Sequence, residues 1–359
     1  MSVPSTDLPT TRPGWRPVLL AALLTSLARP AFWPVALAGF LARGGILAFL
    51  IPIVVLPTPS GVADVIAPAI TSFAFGLVSA AFIVIVAVSI GVLVAWVVLG
   101  GIAGAWTDVE LAVAAADDED IRSETTASDV AAEPRRRSRL VVRAFLVRLI
   151  AHLPLWLVLA WGAVRIGQAT YNELVTPFEV LTPLVIRVLG DVPETIAAVV
   201  ATWLLGEIAG GNAVRRVVLD GASGLAAVRD GWLDLVRRPV SSLAVGLATD
   251  AAVALAVIPS ILAANVVWTW ARLVILGRSG PLDIAVALVL LVALWLGGIV
   301  VTAAATTWRS VAWTAEHVRR RTVPSVAMGD RSHTEAGTFG GAEHGRPGGW
   351  SASDPSGRL

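Results

Sequence analysis

RRPVSSLAVGLATDAAVALAVIP, residues Arg237–Pro259, holds a single charge, Asp250, between Arg238 and Pro259. As a helix, a run this apolar crosses a hydrocarbon core ~30 Å thick, which takes about 20 residues. A carboxylate near the centre of such a run costs ~2.5–3.5 kcal/mol on insertion scales, so it requires a partner within the bundle. Two questions follow: how many such runs the chain has, and what meets Asp250.

Working outward, six apolar runs predict membrane helices at 31–56, 74–105, 144–168, 192–213, 240–262 and 282–306. The chain is 56% hydrophobic, and its mean hydropathy is +0.77, far above ordinary soluble domains. The expected fold class is therefore all-α, a polytopic transmembrane bundle. Residues 1–14 are expected to be a disordered N-terminus and 15–318 the membrane domain, with a mixed-charge cytoplasmic loop at 107–139. Residues 319–359, rich in Gly, Ser and Pro, are expected to be a disordered cytoplasmic tail.

Charge sets the orientation. All 27 basic residues are Arg. The termini and the odd-numbered gaps hold 21 of them, whereas the even gaps hold three: Arg187, Arg272 and Arg278. By the positive-inside rule both termini are expected in the cytoplasm, with the chain in the cell membrane. The cluster Arg135, Arg136, Arg137 and Arg139 suits anionic lipid, at about 1 kcal/mol per Arg near a charged surface. Because the Arg clusters track the topology, they are not read as nucleic-acid binding.

The even gaps GVADVIAPAITS, NELVTPFEVLTPLVIRVLG and NVVWTWARLVILGRSG are apolar, broken by Pro or marked by Trp, and predict outer-face interfacial helices. An internal repeat joins these parts. LGGIAGAW (Leu99–Trp106) parallels LGEIAGGN (Leu205–Asn212), and Arg29-Pro30 parallels Arg238-Pro239. Each of three hairpins then reads as an Arg-rich inner segment, an outward helix, an interfacial segment and a return helix. Residues 15–29 resemble a signal peptide in composition, but they end in the same Arg-Pro as an internal stretch and so predict an amphipathic helix on the inner surface.

Six ionisable residues fall inside the predicted spans: Arg43, Arg148, His152, Arg165, Glu207 and Asp250. If Pro30 and Pro239 mark one boundary, a rise of 1.5 Å per residue puts Arg43 and Asp250 about 16–20 Å deep, near the midplane. An Arg43–Asp250 pair is expected there, with Arg148–Glu207 as a second pair and Arg165 able to meet Glu173. Gly100-x-x-x-Gly104, Gly206-x-x-x-Gly210 and Ser242-x-x-x-Gly246 predict close helix approach.

Much chemistry is excluded. The chain has no Cys, so disulfides, thiolate nucleophiles and Cys-ligated metals are absent, and without Lys it can build neither a Walker A loop nor a Schiff base. GASG (Gly221–Gly224) lacks a later membrane His to act as base. There is no His-Glu-x-x-His, and Asp250 has no second membrane aspartate beside it. No cofactor, no metal and no catalysis are expected.

The stretch GGNAVRRVVLDGASGLAAVRDGWLDLVRRPVSSL combines a small-residue helix end, a Gly turn, an amphipathic helix and Arg-Arg-Pro opening a span. It resembles uncharacterised prokaryotic multi-pass proteins, including the membrane domain sometimes fused to glycerophosphodiester phosphodiesterases. The resemblance implies an architecture and a membrane location, and it transfers no active-site residues. Two functions are expected: a protein acting through helix packing with protein partners or a second copy, or a permease component for a small solute or lipid whose path includes Arg43 and Asp250.

Overall fold

The computed structural model describes residues 14–50, 79–118, 134–175, 184–277 and 280–321. The chain divides into a unit spanning Met1–Arg320 and a second spanning Arg321–Leu359, of which Arg321 alone is described. The expectations for 1–13, for the outer segment 61–72 and for 322–359 lie outside the described residues.

Every described element is helical: α1 (Trp15–Ala28), α2 (Phe32–Phe40) with a π-turn at Leu41–Gly45, α3 (Ile46–Leu50), α4 (Ala80–Asp118), α5 (Pro134–Ala151), α6 (Leu153–Val175), α7 (Leu184–Gly190), α8 (Pro193–Asp220), α9 (Gly224–Arg237), α10 (Pro239–Leu276) and α11 (Pro281–Arg321). Among the described residues, five helical segments are long and apolar enough to cross a membrane, and a sixth span arises if α5 and α6, bent by 49° at His152, form one. The fold is an all-α polytopic bundle embedded in a membrane.

Three hairpins repeat one plan, a helix, a break, a spanning helix and a second spanning helix that returns. The breaks fall at Arg29-Pro30, at His152 before Leu153-Pro154, and at Arg238-Pro239. Each proline lacks an N–H and clashes with the carbonyl four residues back, so it opens a new helix where it would disrupt an old one. At His152 the backbone N–H still donates to Arg148 O at 3.2 Å, and the ring Nδ1–H donates to the same carbonyl at 2.8 Å, closing the bend.

Three of the spanning helices are longer than the sequence pattern predicts. Helix α4 has 39 residues, α10 has 38 and α11 has 41, about 57–62 Å at 1.5 Å per residue. They overshoot the ~30 Å core by about two-fold. Helix therefore covers 107–118 and 134–139 of the expected loop, and α11 passes the expected domain end at 318. Helix α10 runs unbroken through Trp268 and Trp270, because NVVWTWARLVIL contains no Gly or Pro to end it; the separate interfacial helix expected there is absent. Helix α1 departs from the amphipathic expectation as well. Ala22 and Ser26 are buried, yet Leu20, Leu24 and Leu27 on its other side are exposed, so apolar residues lie on both faces.

The overshoot divides the bundle lengthwise. Toward one end the return helices show exposed Ile83, Val92, Leu93, Val289 and Val292, a belt whose apolar surface lipid covers. Toward the arginine-rich end they are packed. Buried residues run through Ala105–Ala116, Gly206–Leu219 and Thr302–Val318. Helix α8 is central, touching α4, α5, α6, α9 and α10. Gly221, with φ 65, caps it in the left-handed region, and the GASG letters form the turn into α9.

Candidate functional site: a buried ionic chain beside an arginine chamber

The π-turn brings Arg43 to the site. Gly44 has φ 112, a conformation glycine adopts without penalty, and it interrupts the helix beside Arg43. Arg43 then crosses α4 at Gly104, where a Cβ would stand 2.3 Å from Arg43 Nε. The guanidinium donates to Gly104 O at 2.5 Å and pairs with Asp108 at 2.5 Å.

Asp108 also accepts from Arg148, and the other arm of Arg148 reaches Glu207. Glu207 accepts from Arg309 Nη2 at 2.5 Å, and Arg309 Nε lies 3.0 Å from Asp250 Oδ1. The order is Arg43–Asp108–Arg148–Glu207–Arg309–Asp250, six groups of alternating sign drawn from all three hairpins. His152 Nε2 lies 3.6 Å from Glu207 Oε1. Each inner member has two oppositely charged neighbours, the condition under which buried ions offset their desolvation. The two end members do not reach that state: Arg43 Nε and Asp250 Oδ2 are buried with no hydrogen-bond partner.

Arg148 and Glu207 thus meet, whereas Arg43 and Asp250 do not pair. They are the two ends of one chain, with Asp108, Arg148, Glu207 and Arg309 between them. The midplane placement fails for a physical reason. Because α10 overshoots the core, Pro239 does not mark its boundary. Asp108, Glu207 and Arg309 each follow the apolar run of their helix within about one turn, which puts the chain at the arginine-rich edge of the lipid belt. Arg165 pairs with Glu194 at 2.9 Å, and Glu173 is taken by Arg187 at 2.5 Å, so the expected Arg165–Glu173 contact is replaced. Of the surface cluster, Arg135, Arg136 and Arg139 are exposed, while Arg137 pairs with Glu110.

A fourth guanidinium lies beside the chain. Arg215 on α8 is 2% exposed and has no carboxylate within salt-bridge distance among the described residues. It donates to Gly211 O at 3.2 Å, Ser310 O at 3.3 Å and Ser310 Oγ at 3.2 Å, and its Nε has no partner. Its remaining neighbour is Trp313, whose ring centroid lies 5.3 Å from Arg215 and 4.9 Å from Arg309. The indole fits because Gly211 faces it, where a Cβ would fall 1.6 Å from the ring, and its N–H donates to Thr249 Oγ1 at 3.1 Å.

These groups enclose a chamber of about 180 Å³, lined by Arg43, Arg148, Arg215 and Arg309 against the carboxylates Asp108 and Glu207. Counting Asp250, four cations face three anions. A guanidinium stays protonated at every biological pH, so the excess positive charge persists unless an anion enters.

Comparison with protein-family models, with curated proteins and with solved structures finds no match to this chain. The class that fold and site define is a polytopic helical membrane protein with a charged chamber at one end of its lipid belt. Asp108, Arg215 and Arg309 escaped the sequence reading. The sequence pattern assigns Asp108 to a loop and uses Arg215 and Arg309 only as orientation markers.

Proposed function

We propose that this chain is a non-catalytic multi-pass protein of the cytoplasmic membrane, with both termini inside, that binds an anion bearing a phosphate or carboxylate group in the arginine chamber, as a permease component does. The observation that carries this reading is Arg215, a permanent charge with a buried, unpartnered Nε in a cavity already lined by three other arginines. An unpaired buried ion costs several kcal/mol, and a bound anion removes that cost. The orientation rests on the Arg bias between alternate gaps. A non-catalytic role accords with the carboxylates Asp108 and Glu207 each being held by two guanidiniums.

Melting in mild detergent, with inorganic phosphate added in place of chloride, tests the proposal. A ligand near 100 times its Kd stabilises the folded state by about 2.7 kcal/mol, and Arg215→Gln removes that shift. A second reading, helix packing alone, is favoured by the ionic chain tying three hairpins together. On that reading no anion raises the melting temperature of either form, a result that sinks the first.

A further inference from the structure

We propose, resting on the anion-binding reading above, that the ligand is a monoanionic phospholipid of the arginine-rich leaflet, its phosphate in the chamber and one acyl chain in the groove that adjoins it. The groove, about 230 Å³, shares Arg43, Arg148, Trp203 and Glu207 with the chamber, so the two adjoin. Its other walls include Trp96, Phe145, Leu149, Leu155 and Trp156, which offer a free phosphate nothing and an alkyl chain a dry surface.

The polarity runs the same way along three of the helical segments that build it. On α4 Trp96 precedes Asp108, on α8 Trp203 precedes Arg215, and along α5–α6 Trp156 follows Arg148; in each case the charge lies nearer the arginine-rich end. From Trp203 to Arg215 the axial distance is about 18 Å at 1.5 Å per residue. That is slightly more than half the ~30 Å core, the reach from a headgroup to the bilayer centre. Charge selects the headgroup. A phosphodiester brings one negative charge to an excess of one positive, whereas a zwitterionic head would add an ammonium facing Arg43 and Arg148.

The full chain is reconstituted in phosphatidylcholine vesicles containing a minor fraction of phosphatidylglycerol and re-extracted in mild detergent; the phospholipid it retains is then quantified by mass spectrometry. Wild type is expected to hold one phosphatidylglycerol, enriched roughly tenfold or more over its share of the vesicle, equivalent to about 1.4 kcal/mol. Leu149→Trp, which fills the groove, is expected to lose the lipid while still being stabilised by inorganic phosphate. Retention at the bulk lipid ratio by wild type, with phosphate still stabilising it, overturns the lipid assignment and leaves the anion site standing. If wild type answers to neither lipid nor phosphate, both proposals fall. The wild-type arms decide the matter even if Leu149→Trp does not fold.

Discussion

Glu207→Gln is the substitution on which the ionic chain stands or falls. The carboxylate is 8% exposed and joins Arg148 to Arg309. Removing one partner of a buried ion pair costs about 3–5 kcal/mol. Here each guanidinium retains a second carboxylate, Asp108 for Arg148 and Asp250 for Arg309, so the lower end applies, about 3 kcal/mol. The loss also raises the excess positive charge from one to two. Arg215→Gln alone removes a cation that has no carboxylate, and in lipid-free detergent it is expected to be neutral or stabilising. The double substitution Glu207→Gln with Arg215→Gln restores the original balance and should regain about 1–2 kcal/mol, a coupling of the size that neighbouring charges show in double-mutant cycles. Thermal melting in mild detergent reads all four forms, and the single Glu207 variant should melt on the order of 5–10 °C lower. If Glu207→Gln melts within about 1 °C of wild type, or the two substitutions add without coupling, the electrostatic reasoning is refuted.

Further outcomes follow from the same geometry and from the arginine bias. Gly211→Ala drives a Cβ into the Trp313 indole and is expected to destabilise by about 1–3 kcal/mol, measured by melting. Trp313→Phe together with Gly211→Ala should recover part of that loss, since the smaller ring leaves more room. Gly44→Ala forces a side chain into positive φ, at about 1–3 kcal/mol, and should weaken phosphate binding by displacing Arg43, an effect titration against the wild type would show. Asp250→Asn leaves Arg309 paired with Glu207 and is expected to cost about 1 kcal/mol, less than Glu207→Gln in the same melt. Since the chain has no Cys, Ser138→Cys reports orientation directly: a membrane-impermeant maleimide should label it only from the cytoplasmic side.

The hairpins were legible because apolarity and the Arg-Pro breaks are local signals. Helix ends were not. TDVELAVAAADD after Trp106 reads as soluble by charge, yet Val109, Ala112, Ala115 and Ala116 return every three or four residues and are buried, so the helix continues beyond the lipid. That periodicity was the available signal for Asp108, and the expected loop obscured it. The Arg43–Asp250 expectation failed at the same point. Depth counted from a proline assumes that helices start at the membrane surface, and these start well below it. Arg148–Glu207 needed no such assumption, because adjacent antiparallel helices bring residues near the same end to the same height. Arg215 and Arg309 stayed hidden because topology alone accounts for an arginine at the end of a span. Only their withdrawal from solvent, complete at Arg215 and partial at Arg309, sets them apart from the exposed Arg229 and Arg237, and pattern does not reveal it.

The absence of Lys sharpens what that burial means. A buried lysine relieves its own desolvation by shedding a proton, and documented cases titrate near pH 5–6. Arginine has no such exit, because a guanidinium keeps its proton inside a protein. Whatever genomic bias supplied the arginines, a site assembled from them must be neutralised by geometry: by carboxylates, as at Arg148 and Arg309, or, as proposed for Arg215, by an anion from outside. The ionic chain therefore does more than hold helices together. Among the described residues it commits Asp108, Glu207 and Asp250 and leaves Arg215 over, at the arginine-rich end of the apolar helices. If Arg215→Lys preserved phosphate stabilisation below about pH 5, where a buried lysine is charged, but lost it at neutral pH, where it is not, while wild type kept it throughout, the fixed charge would be identified as the recognising element. A loss at every pH would instead assign recognition to the fork of donors that guanidinium alone presents.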